Sequence, residues 1–259
     1  MAELGTPDRA TMSRNAGKTS LQQPGCSAAP GRRHRSRALR RGMWCLSFVL
    51  VAIGSIWWLA TRTPDFYRQR LQPPDQGWRD CGFEFERRLL DLSNDARRIG
   101  RWRLQTTDDL VNGWLAMDLM EKFPGSLPDS IAEPRLAIFE DNMAIAFQVD
   151  AWIVRGVATV RMRPQIGTQP NELILEIQQT QLGWLPLPNR LWRHTVEDTL
   201  RSQGLIVLWI DSGPKPTLIV RFPQQMTVSE NGYWELESIE VSGGSLLIEG
   251  QTRRPASGR

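Results

Sequence analysis

Cysteine and histidine are scarce: three cysteines (Cys26, Cys45, Cys81) and two histidines (His34, His194) in 259 residues. No cluster of them has zinc-ligand spacing, and no EF-hand calcium loop is present. A phosphate-cradling loop is missing as well. Its nearest counterpart, Ser242-Gly243-Gly244-Ser245, lacks the Walker lysine and reads as a turn between strands. His194 has Glu197 and Asp198 one helical turn on, the neighbours a general base would want. No cysteine or elbow serine accompanies it, so a histidine on a solvated helix face is the simpler reading. These absences give an enzyme the least support. No catalytic, metal or cofactor-binding residue is assigned, and no cofactor is expected.

Charge is absent from Met43 to Ala60, MWCLSFVLVAIGSIWWLA. As a helix this stretch would extend about 27 Å, close to the thickness of a hydrocarbon core. Met43, Trp44, Phe48, Ile53, Trp57 and Trp58 are its anchor residues, the last two where amphipathic rings favour the headgroup layer. Arg32, Arg33, Arg35, Arg37, Arg40 and Arg41 precede it and set the topology. Positive flanks stay in the cytoplasm, so the C-terminal part is expected to be exported from the inner membrane. A cleaved signal peptide fits poorly. The leading region is too long, and Trp58 stands where a small residue is wanted before a cut.

The overall charge of +4 belongs to the tail. Residues 1–42 carry nine Lys/Arg and two Asp/Glu, and residues 43–60 carry none, so the remainder is net −3. This argues against nucleic acid as a partner of the folded part. The exported Cys81 is left without an intramolecular partner, which excludes a disulfide framework. It is read as a buried or reduced thiol, with a cross-link between two chains as the alternative.

The composition divides the chain into five parts. Residues 1–42, rich in Ser, Gly, Pro and Arg, read as a disordered cytoplasmic tail. Residues 43–60 are a retained signal anchor. Residues 61–82 hold Pro64, Pro73 and Pro74 and read as an extended stalk. Residues 83–252 form the exported domain, and 253–259 a frayed end.

Within the domain, Phe85, Leu89, Leu92, Ala96 and Ile99 mark one helix face. A second helix starts at Thr106 with Asp109 three residues on, a pattern like a capping box, and presents Leu110, Val111, Trp114, Leu115 and Leu119. Arg101–Gln105 alternates as a short strand. Met143, Ile145, Phe147 and Val149 alternate with Ala144, Ala146, Gln148 and Asp150, and strands around Ala158–Met162 and Leu173–Ile177 follow. Three half-buried strands in succession predict an antiparallel meander with one face covered. Asn189 would cap a helix carrying Leu191, Trp192, Thr195, Val196 and Leu200. Leu205–Ile210, Leu218–Phe222 and Leu246–Ile248 read as later strands, and Glu230-Asn231-Gly232 as a hairpin turn. The fold class is α+β: an antiparallel meander with two or three amphipathic helices packed on it, preceded by one transmembrane helix.

Eleven tryptophans are many for this length, and core packing is their simplest use, with lipid or glycan contact as the alternative. The segments Thr107-Asp108-Asp109-Leu110-Val111-Asn112-Gly113-Trp114-Leu115, Glu133-Pro134-Arg135 and Leu182-Gly183-Trp184-Leu185-Pro186-Leu187-Pro188 resemble those of membrane-anchored proteins of planctomycete-type bacteria. More distantly, their order is similar to that of the YpmS-like family. The resemblance implies this topology and fold, and brings no activity and no site residues. The expected partners are the bilayer and a lipid or other envelope component held by the domain. The alternative is a structural subunit that binds another envelope protein.

Overall fold

The computed structural model describes residues 33–254 apart from 75, 152–153, 212, 214 and 223–232. Helix α1 (Arg33–Ala60) is followed by α2 (Asp65–Arg70), α3 (Trp78–Ala96), β1 (Gly100–Thr107) and α4 (Asp108–Lys122). Strands β2 (Ile131–Ile138), β3 (Met143–Ala151), β4 (Val154–Ile166), β5 (Glu172–Leu182) and β6 (Leu185–Pro186) come next. Helix α5 (Arg193–Ser202) then leads to β7 (Ile206–Ile210), β8 (Thr217–Arg221), β9 (Tyr233–Ser242) and β10 (Ser245–Arg253). The chain is α+β, and its strands pair antiparallel throughout the described residues.

Helix α1 begins at Arg33, inside the segment expected to be disordered. Arg33, Arg35, Arg37, Arg40 and Arg41 fall within it, while Arg32 lies outside the described residues. From Met43 the chain is long and apolar enough to cross a membrane. Only 6% of that apolar window is buried, which is not how a core helix sits. Met43, Trp44, Phe48, Ile53, Trp57 and Trp58 are all exposed.

The strands form two sheets rather than the single sheet expected. Three of them, in the order β1-β10-β9, make one. The other runs β2-β3-β4-β5-β8-β7, with β6 against β5. Strand β1 pairs along its whole length with β10, from Gly100 opposite Thr252 to Thr107 opposite Ser245. No local pattern announces a pairing between segments so far apart in the chain. The sheets are tied together by Asn171, which stands at a φ of +59° in the β4–β5 turn. Its side-chain amide donates to the Trp234 carbonyl (2.8 Å) and accepts from the Leu236 N–H (2.9 Å), filling a place that a β9 neighbour would take.

The stretch expected as an extended stalk is folded onto the domain. Pro64 precedes α2, where its missing N–H costs nothing, and Tyr67 is fully buried. The expected boundary at Phe83 falls inside α3. Tyr67 packs on Ala146 and Val157, with Phe66 and Leu71 beside it. The β3 face read as solvent-facing is therefore covered: Ala144 and Ala146 have no exposure, and the small side chain of Ala146 leaves room for Tyr67 of α2.

The second helix is capped by Thr107 rather than Thr106, through Leu110 N–H to Thr107 Oγ1 at 3.4 Å. Asn189 caps no helix; a 3-10 turn, Asn189–Leu191, precedes α5, and its amide oxygen accepts from Thr180 Oγ1 (3.1 Å). The hairpin expected at Glu230-Asn231-Gly232 lies outside the described residues. Several tryptophans pair with one another, Trp192 with Trp209 at 5.6 Å and Trp102 with Trp234 at 6.3 Å between ring centroids; Trp102 is buried and the other three are half-buried.

Candidate binding site beside the end of the apolar helix

Helix α1 ends against the sheet. Trp184 N–H donates to the Leu59 carbonyl (3.0 Å), one of the last carbonyls that a helix cannot satisfy itself. Gly156 and Gly183 allow this approach. A Cβ at Gly156 would lie 2.6 Å from the Ala60 carbonyl oxygen. At Gly183, whose φ is +59°, it would lie 2.5 Å from that of Leu59. Both positions therefore need glycine for space, and Gly183 for conformation as well.

Beyond Ala60 the chain turns along the sheet and leaves a hollow of about 520 Å³. Thr63, Tyr67 and Leu71 form one wall, and Ala132, Val149 and Val157 another. Its rim is polar, with Asp129, Gln148, Asp150 and Arg155. Arg155 Nε donates to Asp150 Oδ1 at 2.9 Å. The volume lies within the usual range for ligand sites, and the apolar walls with a mixed-charge rim suit an amphiphile.

A polar cluster holds that wall in place. The Tyr67 hydroxyl donates to the Glu133 carbonyl (2.8 Å). Glu133 stands at a φ of +48°, and the β2–β3 register slips between Ala132 and Arg135. This bulge turns the Glu133 carbonyl toward α2. Burial pushes the Tyr67 phenol up to about 12, so it stays neutral and a donor. Arg70, at the end of α2, pairs with Asp108 and with Asp109 (2.6 Å) of α4, while its carbonyl accepts from Arg135 Nε (3.1 Å). The buried Arg135 guanidinium also lies over the Trp78 ring, 5.3 Å from its centroid.

Asp108 joins this cluster to both sheets. It accepts from the Ile138 N–H of β2 (3.3 Å), and its own N–H donates to Gly244 of the β9–β10 turn (3.1 Å). Burial pushes its carboxyl above the usual carboxylate range, although Arg70 pulls the other way. The folded chain thus binds this proton more tightly than the unfolded chain. Asp108 makes folding less favourable as pH rises from the ordinary carboxylate value through the raised one. Asp108→Asn keeps an acceptor for Ile138 and removes the slope. In unfolding titrations across pH, the variant should gain on the parent as pH rises through that window. A constant difference would refute the assignment.

Of the anchor residues assigned from the sequence, neither Ile53 nor Trp57 nor Trp58 lines the hollow. Sequence reasoning missed Tyr67 and Arg70, and gave Arg135 no role although it singled out the Glu133-Pro134-Arg135 segment. One signal was present: Tyr67 is one of two tyrosines, an apolar ring among the prolines of a supposed spacer. His194 is exposed on α5, and Glu197 is held by Arg201 (2.6 Å). Cys81 is buried, in a position unsuited to a cross-link between chains. Among the described residues no group of three or more His, Cys, Asp or Glu is placed to hold a metal ion. No family model, no curated protein and no solved structure matches the chain.

Proposed function

We propose that this chain is a single-pass membrane protein whose exported domain holds a lipid or another amphiphilic envelope component where the chain leaves the bilayer. The observation that carries the reading is the hollow of about 520 Å³, walled by Tyr67, Leu71, Val149 and Val157 beside the end of the apolar helix. Asp129, Asp150 and Arg155 on its rim offer both signs of charge to a zwitterionic headgroup. The arginines before Met43 support a cytoplasmic N-terminus. The role is binding rather than catalysis, in keeping with the missing nucleophile, metal and cofactor motifs.

Native mass spectrometry of the full chain released from detergent micelles tests this. The parent should retain a reproducible adduct of lipid mass. Val149→Trp, which fills the hollow at a half-buried position, should lose it. Adducts of equal abundance on both would place the lipid on the apolar helix alone, and a bare mass on both would also sink the proposal.

A second reading, an assembly subunit that binds another envelope protein, is favoured by β7. The two ends of the larger sheet differ. At β2, Asn112 and Asp108 occupy edge groups, whereas β7 presents Ile206, Leu208 and Ile210 at 52, 44 and 41% exposure. Such a strand can accept an extended segment of a partner. A photo-crosslinker at Ile210 should then give one reproducible product in native membranes, lost on Leu208→Lys. Absence of a product, or one indifferent to that substitution, counts against it.

A further inference from the structure

We infer that the Gly183–Trp184 loop is a second membrane contact, with Trp184 in the headgroup layer that Trp58 reaches. It is clamped there to the end of the apolar helix, so the sheet is held at one attitude to the bilayer. The inference rests on the reading above that this helix spans a membrane.

Three observations carry it. The first is the clamp itself. Trp184 N–H bonds to Leu59, Gly183 N–H bonds to Val157 (2.7 Å), and no Cβ fits between the Gly183 backbone and the carbonyls of Leu59 and Ala60. Turn, sheet and helix end are thereby fastened in one place. The second is Arg62. Its guanidinium lies 3.9 Å from the centroid of the Trp58 ring and 5.6 Å from that of Trp184. A cation between two indole faces brings both rings to one level, and phosphate-rich headgroups supply its counter-charge. The third is exposure. Trp184 is 55% exposed and Trp58 53%, whereas among the described residues Trp102 is buried and the other indoles from Trp78 onward are half-buried. An amphipathic ring left bare beside a membrane helix matches the interfacial preference of tryptophan.

The clamp also bears on the hollow. Gly156, which lines the hollow, is one of the two glycines against the helix end. A domain held in this way keeps its binding wall next to the headgroups, so an amphiphile can pass from the bilayer without crossing water.

The test uses the full chain, labelled uniformly with 5-fluorotryptophan, in nanodiscs of phosphatidylethanolamine and phosphatidylglycerol. Trp184→Phe assigns the Trp184 fluorine resonance, and Trp57→Phe and Trp58→Phe assign those of the anchor. Lipids with a nitroxide near the top of the acyl chain should broaden Trp184 and Trp58 alike, several-fold more than a soluble gadolinium chelate does. Gly183→Val should release the clamp: broadening of Trp184 by the lipid falls several-fold, while Trp58 keeps its own. The Trp102 and Trp234 resonances report whether that variant is folded. If Trp184 responds only to the soluble chelate while Trp57 and Trp58 respond to the lipid, the second contact is refuted and the span stands. This also is the result for a Trp184 that serves a partner protein. If all three respond only to the soluble chelate, the spanning reading itself fails.

Discussion

Asn112→Ala is expected to destabilise the domain by about 3–5 kcal/mol, from two orphaned backbone groups and a cavity. Asn112 has no exposure. Its amide nitrogen donates to the Leu136 carbonyl and its oxygen accepts from the Leu136 N–H, both at 2.7 Å. One side chain from α4 thus pairs with β2 as a neighbouring strand would. Alanine leaves a buried N–H and a buried C=O without partners, each costing about 1–3 kcal/mol, before the lost volume is counted. Against a usual total of about 5–15 kcal/mol, this is a large share. Denaturant unfolding of the full chain in detergent measures it. Asn112→Asp separates the two halves of the pair. The carboxylate still accepts from the Leu136 N–H but meets the Leu136 carbonyl with an oxygen, so it also destabilises. Protonation turns that oxygen into a donor, so the loss should shrink at low pH. An Asp variant insensitive to pH would show that the donor half contributes little. Release of β2 also exposes a strand edge, and the alanine variant should aggregate more readily.

Gly113→Val should be comparably severe, at about 3 kcal/mol or more, because helices α3 and α4 meet there glycine to glycine. A Cβ at Gly113 would lie 2.5 Å from Cys81 Cβ, 2.6 Å from Gly82 N and 2.7 Å from the Trp78 carbonyl oxygen. Two of these neighbours are backbone, so the helices must part. Gly113→Ala meets the same clash with a smaller group and gains about 1 kcal/mol of helix propensity. It should lose less, about 1–2 kcal/mol. Cys81 reports the geometry directly, since it is buried at this crossing and its thiol is pushed up by burial. In a background with Cys26 and Cys45 replaced by serine, a thiol reagent should reach Cys81 slowly in the parent and many-fold faster in Gly113→Val. An unchanged unfolding midpoint with Cys81 still protected would contradict this view of the crossing.

Both residues were legible as parts of the Thr107–Leu115 segment, but not in these roles. The expected apolar face of that helix, Leu110 to Leu119, is mostly half-buried. Its deepest positions include Asp108, Asn112 and Asp118. Periodicity weighs apolar side chains, so it is blind to a polar residue that completes another strand's hydrogen bonds. Strand β2 was missed for a related reason. Glu133 and Pro134 form a bulge, and Pro134 to Ile138 are all buried, so no alternation remains to be read.

The sequence by itself determined what depends on local composition and short periods. An uncharged apolar run makes, among the described residues, the one helix fit to cross a membrane. Alternation makes β3, β4, β5 and β8, and the stripe of Phe85, Leu89 and Leu92 makes α3. Tertiary structure alone decided what depends on partners far apart in the chain. It paired β1 with β10, split the strands into two sheets and laid the supposed stalk over Ala146 and Val157. It also set the Gly183–Trp184 turn on the end of the apolar helix. Alanine and glycine carry no pattern of their own at these places. They are needed because another part of the chain comes too close for a larger side chain, and only the folded chain shows which part that is.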